Sequence, residues 1–427
     1  MIFRKLVQPA LFCAFLSGCS TSLLAQTTDT ISLSLPQAEQ RFLEQNLQLI
    51  AGRYGVQADS AQITQAKLWN NPNLNTDQNV YSNNRWFEHG TNPDGSPKGQ
   101  YLVQLEFLLR TAGKRSKTIQ LARTDAGISN WQFRDMLLGL KTQLREDFFK
   151  LQQLQLNDAL FRQQLEQMGR VVSLMGRQLD AGNIARKDLL RLQALLLSLQ
   201  QDAADNSREL LDVSAELKTM LQLPAEAYIK ALGELHQAPA PLVRDIPQLL
   251  TLAKQNNPSF QVQQLMLQRQ QQNLSLQRAN AIPDITVAPN YDHNSNYTPK
   301  YYGLGVSLPL PVFNRNQGNI KAAGFQVKQE AANTSYAEQA LNNNVVSAWK
   351  KLQLMQQLSE GLQDTFYNNY GALYEKITES YRQRQISLVE FIDYFDAYKE
   401  LRQRQAQQQL NLLTAREELA QLVGTEL

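Results

Sequence analysis

The chain has two cysteines in 427 residues, Cys13 and Cys19, and none after position 19. The body of the protein can form no disulfide, so its stability must come from packing or assembly. Proline is missing between Pro97 and Pro224 and again after Pro311. A helix interior rejects proline at ~3 kcal/mol, so these two spans are where long helices can run. Histidine is limited to His89, His236 and His293, widely separated along the chain. Without paired histidines or a usable cysteine, spacing supplies no metal-ligating set. There is no Gly-rich phosphate loop and no nucleophile motif, so the pattern is not that of an enzyme and asks for no cofactor. The 42 basic and 39 acidic residues nearly cancel, leaving a formal charge of +3 and no electrostatic pull on nucleic acid. After the N-terminus no apolar run reaches the ~20 residues of a membrane helix. Membrane strands escape that test, because only every second residue need be apolar.

What is present begins with a leader. Arg4 and Lys5 precede an apolar stretch from Leu6 to Leu16, followed by small residues, as in an export signal. Leu16-Ser17-Gly18-Cys19 reads as a lipobox, giving a leader of 1–18 with Cys19 as lipid anchor. Alternatively, Leu23-Leu24-Ala25 reads as an ordinary cleavage site, giving a leader of 1–25.

The rest is written twice. Leu35, Pro36, Gln37, Asn46, Gln57, Pro72 and Leu74 recur as Ile246, Pro247, Gln248, Asn257, Gln268, Pro283 and Ile285, with 247 − 36 = 211 and 283 − 72 = 211. So long a period marks a duplicated half-protein rather than a solenoid. Ala238-Pro239-Ala240-Pro241 separates the copies, giving halves of 26–240 and 241–427. Each is expected to hold a short helix, a medium helix, two strands and a long helical hairpin.

The hairpins follow from the proline-free spans, placed at about 115–222 and 317–423. Leu189, Leu192, Leu196, Leu199 and Ala203, then Leu210, Val213, Leu217 and Met220, recur at 3–4 spacing interrupted only by Asn206, as do Leu165, Met168, Val172, Met175 and Leu179. These are coiled-coil seams. Breaks at Asp180–Ile184 and Arg384–Ser387 turn each span back on itself. The strands are placed at about 74–83 and 100–110, then 284–293 and 300–310. Tyr302, Leu304, Val306, Leu308 and Leu310 alternate with small residues, and Tyr101, Val103, Leu105 and Phe107 alternate with Leu102, Gln104 and Glu106. The first strand alternates only weakly and is placed by its repeat partner. Runs of ~10 residues with period two have the length of membrane strands. Polar loops at 84–99 and 294–299 join them, and Tyr81, Trp86, Phe87, Tyr101, Tyr297, Tyr301 and Tyr302 gather there as an interfacial girdle would. Four strands cannot close a barrel, whose smallest form has eight, so other copies must complete it.

These features together resemble the TolC-like outer-membrane efflux proteins. The most specific piece is Leu308-Pro309-Leu310-Pro311-Val312-Phe313-Asn314-Arg315-Asn316-Gln317-Gly318-Asn319-Ile320, which is similar to the strand-to-helix junction of the cobalt-zinc-cadmium resistance branch. Leu108 to Ile119, with Gly113-Lys114-Arg115, is a looser first-copy version. The resemblance implies an α+β membrane protein of a Gram-negative outer membrane: a trimeric twelve-stranded barrel continued by a periplasmic coiled-coil tunnel. Its partners would be outer-membrane lipid, a periplasmic adaptor and an inner-membrane resistance-nodulation-division pump, and its role the passive export of heavy-metal cations. A duct for drugs or secreted proteins is the alternative within that class. A soluble periplasmic coiled-coil scaffold or adaptor is the alternative outside it.

Three groups of residues are singled out. The turns, Gly182, Asn183, Ile184 and Asp188 with Gln385, Ile386, Ser387 and Glu390, resemble the family's adaptor-docking tips, although any helical hairpin needs such a turn, with Asp188 capping a helix. Asp180, Glu375 and Glu379 could form acidic rings at a lumen, as in cation channels, or simply a solvated face. Pro309, Pro311, Asn314, Arg315, Asn316, Gln317 and Gly318 make the junction motif. Met168 and Met175 fit core packing better than soft-metal handling.

Overall fold

The computed structural model describes residues 29–82, 84–233, 235, 245–360 and 364–427. Cys13, Cys19, His236 and the Ala238–Pro241 break lie outside the described residues. In chain order the first half holds β1 (Thr30–Ser34), α1 (Leu35–Gln45), α2 (Leu47–Lys67), β2 (Asn73–Gln78), β3 (Tyr81–Ser82), β4 (Arg85–Trp86), β5 (Gly90–Thr91), β6 (Pro97–Lys98), β7 (Tyr101–Leu109), α3 (Lys114–Asp180), α4 (Arg186–Leu221) and β8 (Tyr228–Leu232). The second holds α5 (Ile246–Asn256), α6 (Pro258–Asn280), β9 (Ile285–Asn294), β10 (Pro299–Ser307), α7 (Gln317–Glu360), α8 (Asp364–Arg382) and α9 (Leu388–Val423).

The duplication is structural down to single hydrogen bonds. Asn46 and Asn257 each end one helix and cap the next, with φ −64° in both. Their side-chain oxygens accept from Leu49 N at 3.0 Å and Phe260 N at 2.9 Å. Their amides donate to Met220 O and Leu422 O, each at 3.0 Å. One buried residue thus closes a helix corner and pins it to the end of the returning helix.

The long strands form one antiparallel sheet in the order β10-β9-β7-β2. The copies meet inside it, through β7 against β9. The same order recurs below: α2 packs on α3, α3 on α6, and α6 on α7. The halves therefore interlock rather than stand apart. The first strand is shorter than expected, ending at Gln78 instead of residue 83, because the chain turns into the small hairpin β3–β4. The supposed polar loop also contains β5–β6. The fourth ends at Ser307, before Pro309 and Pro311, whose missing N–H groups cannot extend a ladder. A parallel pair, β1 with β8, was not anticipated; it joins the start of the first half to its end.

At 67 residues α3 is ~100 Å long at 1.5 Å per residue. Its counterpart is α7 and α8, on either side of 361–363. Two cores bury the short helices against the hairpins. Ala38, Phe42 and Leu49 pack with Leu144, Phe148, Leu151 and Leu217 in one, and Leu249, Ala253 and Phe260 with Val345, Leu352 and Leu419 in the other. Arg145 crosses between copies, pairing with Glu39 at 2.5 Å and with Glu417 and Glu426 at 3.0 Å. In the α4 seam Asn206 is buried like its leucine neighbours, its amide donating to Leu154 O at 3.1 Å.

Candidate functional site

The pairing registers sort the sheet into two chemically different faces. On one, Thr76, Val103, Tyr291 and Tyr302 lie in a row, followed by Leu74, Leu105, Pro289 and Leu304, then Phe107, Val287 and Val306. On the other lie Asp77, Leu102, Asp292 and Tyr301, then Asn75, Gln104, Asn290 and Gly303, then Asn73, Glu106, Ala288 and Gly305. The apolar face is uncovered, with Tyr302, Leu304 and Val306 at 79%, 68% and 66% exposure. Gly303 is required on the polar side: a Cβ there would lie 2.8 Å from Asn290 Oδ1 and 2.6 Å from the Tyr301 ring. The weak alternation of β2 is explained by its polar face, Asn73, Asn75 and Asp77, opposed by Leu74, Thr76 and Gln78, of which Leu74 alone is apolar. The acids Asp77, Glu106 and Asp292 on that face were not singled out from sequence; the period-two pattern held the signal, since all three occupy the non-apolar parity.

Aromatic rings gather at one end of the strands. Tyr101 stacks on His293 at 4.8 Å and meets Tyr291 at 5.9 Å, Tyr291 meets Tyr302 at 4.9 Å, and Tyr81 meets Trp86 at 5.0 Å. His89 sits edge-on to Tyr101.

At the other end the strands feed the helices through bonded turns. In the second copy Asn316, at φ +57°, donates to Gln277 O at 2.7 Å while Asn314 Oδ1 accepts from Asn316 N at 3.0 Å. Gln317 Oε1 accepts from Arg315 N at 2.8 Å, so the amides of the motif fold the turn; Gly318 lies in open space. Pro309 and Pro311 are exposed just beyond the strand. In the first copy Lys114 Nζ reaches Ile282 O at 2.6 Å and Asp284 Oδ1 at 2.7 Å, and Thr111 N donates to the same carboxylate at 2.8 Å. That lysine ties the first long helix to the second copy's strand.

The far ends of the hairpins are built alike. Gly182, at φ +73°, ends α3: its N–H donates to Leu179 O at 2.9 Å and that of Asn183 to Gln178 O at 2.8 Å. Arg384, at φ +62°, ends α8 with the matching bonds to Tyr381 O at 3.0 Å and from Gln385 N to Ser380 O at 2.8 Å. Both are Schellman closures. The two tips touch, since Gln178 Oε1 accepts from Asn183 and from Arg384. Behind them lies an aromatic core in which Tyr374 stacks on Tyr398 at 4.2 Å and Tyr381 on Phe391 at 4.5 Å; Met168 and Met175 are buried in it.

Ile184 and Ile386 pack half-buried against this core. Each is therefore only partly open to solvent. Nor does Asp188 cap α4, because the cap position is Ala185 and Asp188 lies three residues inside. Ser387 does cap α9, accepting from Glu390 N at 3.2 Å. Gly182, Asn183, Gln385, Ser387 and Glu390 are exposed. Asp180 and Glu375 are exposed as well, whereas Glu379 pairs with Arg382 at 3.2 Å. Asp180 ends α3, at the negative pole of the helix dipole, where a carboxylate is disfavoured.

Further up, α4 carries Asp202, Asp205, Glu209, Asp212 and Glu216 at 3–4 spacing. The first four line a cleft of about 790 Å³ between α3, α4 and α9. Lys399 and Lys150 offset Asp202 at 2.8 Å and Glu209 at 2.9 Å. Glu216 instead faces Asp147, whose carboxyl is pushed up to about 7, first by burial and then by Glu216 and Glu146. Among the described residues no group of three or more His, Cys, Asp or Glu could hold a metal ion, and no helix is long and apolar enough to cross a membrane.

Comparison with known proteins agrees with this architecture. The cobalt-zinc-cadmium resistance protein CzcC of Cupriavidus metallidurans is 21% identical over 299 residues, 70% of each chain. Crystal structures of CusC, concerned with folding and transmembrane channel formation, superpose with a TM-score of 0.72 at 17% identity, over 93% of this chain and 94% of CusC. The Campylobacter jejuni CmeC outer membrane channel gives 0.74 at 13% identity, over 91% and 85%. Residues 39–222 and 249–425 match the outer membrane efflux protein family. Both copies are thereby covered, and the chain belongs to the outer membrane efflux proteins.

Proposed function

We propose that this protein is the outer-membrane duct of a tripartite heavy-metal exporter, passing cations of the cobalt, zinc, cadmium or copper type without transforming them. The observation that carries the choice of cargo is the likeness to CzcC over 70% of both chains. The apolar sheet face supports insertion in lipid, where an open sheet edge is not tolerated. Free edges at β2 and β10 run antiparallel, so copies can pair head to tail around a ring. Eight strands from two copies would be filled by side chains, and twelve from three leave room for a lumen. The polar face, with Asp77, Glu106 and Asp292, then lines that lumen and suits cations.

At the periplasmic end the exposed tip residues Gly182, Asn183, Gln385, Ser387 and Glu390 form the docking surface for an adaptor, which couples the duct to a resistance-nodulation-division pump. Ile184, Ile386 and Asp188 shape that surface from within. Asp180, Glu375 and Glu379, the last paired with Arg382, guard the entrance. Cys19 serves as a lipid anchor. Deleting the gene should raise sensitivity to cobalt, zinc, cadmium or copper salts more than to organic drugs. Raised sensitivity to organic drugs, with unchanged metal tolerance, would move the assignment to a drug duct.

A further inference from the structure

The trimeric reading leaves one seam unseen, that between neighbouring copies, and the internal duplication supplies its template. Within the chain, repeat one meets repeat two where α3 packs on α6. There Lys117 Nζ donates to Ser275 Oγ at 2.7 Å, Thr124 Oγ1 to Gln272 Oε1 at 2.9 Å, and Ser259 Oγ to Asp135 Oδ2 at 3.1 Å; Arg269 pairs with Asp125 at 2.5 Å. The equivalent helices are α7, with 320 − 119 = 201 and 323 − 122 = 201 from the paired Ile and Ala, and α2, with 268 − 57 = 211.

Burial supports this alignment. Phe133 and Met136 of α3 face α2 at Gly52, and their equivalents on α7, Thr334 and Ala337, are half-buried on the side where Glu330 receives Gln263 of α6. The α3 positions that contact α6 (117, 124, 125 and 135) map to Gly318, Phe325, Gln326 and Tyr336, all exposed. Phe325 is 58% and Tyr336 78% exposed. The α6 positions map to Gln48, Tyr54, Ala58, Ala61 and Thr64 of α2, also exposed, with Tyr54 at 65%.

We infer that this face of α7 is covered by α2 of the next copy, with Phe325 seated over Ala61 and Tyr336 against Gln48. Resting on the trimeric assembly, the inference adds the residues that make its seam and their chemistry. Where the joint within the chain matches polar partners, Thr124 with Gln272 and Asp125 with Arg269, the joint between chains sets Phe325 over Ala61 and Gln326 over Ala58. Large against small fills the same space, and at Phe325 over Ala61 it does so with apolar surface, as interface cores do.

The test uses the full-length protein in outer-membrane vesicles. A61C/F325C and Q48C/Y336C, oxidised or treated with a short thiol-to-thiol cross-linker, should give covalent trimers that survive boiling in SDS. The single variants and the off-face pair A61C/N333C should remain monomeric after boiling. Phe325→Asp should lower the temperature at which trimers dissociate in SDS, and Phe325→Leu should restore it. Glutaraldehyde run in parallel separates two failures. Trimers by glutaraldehyde with no cross-link in either target pair, or with equal cross-linking of the off-face pair, would overturn this seam. No trimer by glutaraldehyde would overturn the assembly itself.

Discussion

Asn46 and Asn257 could be recognised in the sequence as a repeated pair, because the offset of 211 holds through them, but their work could not. A capping asparagine has a local signature, whereas an amide reaching Met220 across 174 residues depends on where the returning helix ends. Asn46→Ala removes a cap worth ~1 kcal/mol and strands a buried carbonyl at a further ~1–3 kcal/mol. The variant should melt lower, and lower than Gln45→Ala at the exposed neighbouring position; equal melting by circular dichroism would contradict the double role. Asp147 looked like one acid in a charged stretch, and only tertiary packing reveals its burial beside Glu216. Its folded pKa of about 7 exceeds the ordinary 3.8, so as pH rises from 4 to 7 the unfolded state loses the proton first and stability falls. Asp147→Asn should raise the melting temperature most above pH 7, with the gain fading toward pH 4. A gain independent of pH would place the effect elsewhere.

At the scale of elements, the long helices were legible because proline exclusion and heptad spacing are local rules that run for many turns. The strands were legible where one face is apolar and obscure in β2, where Leu74 alone is apolar and Asn73 and Asn75 answer Glu106 and Gln104 on the polar face. The pairing of β1 with β8 left no trace, since a parallel contact between Thr30 and Tyr228 follows from the closing of the whole half. The tips were found by their breaks, while the packing of Ile184 and Ile386 against the aromatic core depends on tertiary contacts. Their replacement by Asp should therefore disturb packing as well as docking. A cleaner comparison lies at the left-handed residues. Gly182 adopts φ +73° without a Cβ, and Arg384 holds φ +62° with one. Left-handed backbone costs a non-glycine residue ~1 kcal/mol or more, so Arg384→Gly should stabilise the second tip and Gly182→Arg should weaken the first. The reverse order in thermal melting of the purified protein would remove strain from the account of the turns.

For the whole molecule, the sequence carried the duplication and the incomplete sheet, and physics carried the need for partners. The expected behaviour is a trimer in detergent whose β signal outlasts mild SDS and collapses on boiling, because each sheet edge is satisfied only by another copy. A monomer with native circular dichroism would defeat this.

The polar match of α3 with α6 also limits how such a ring can be assembled. If the two halves of each chain are regarded as two kinds of tile, the joints must alternate, one charged and one greasy. A ring made of first halves alone would set Asp125 and Thr124 against the alanines of α2, leaving a carboxylate without its arginine at every joint. A ring of second halves alone would leave Arg269 facing Gln326. Closure therefore selects an even number of halves in strict alternation, as in an alternating copolymer, and a half-chain slip is rejected by charge before lipid tests it. Severing the chain between residues 235 and 245 should then leave two fragments that still sort into the same six-part circle.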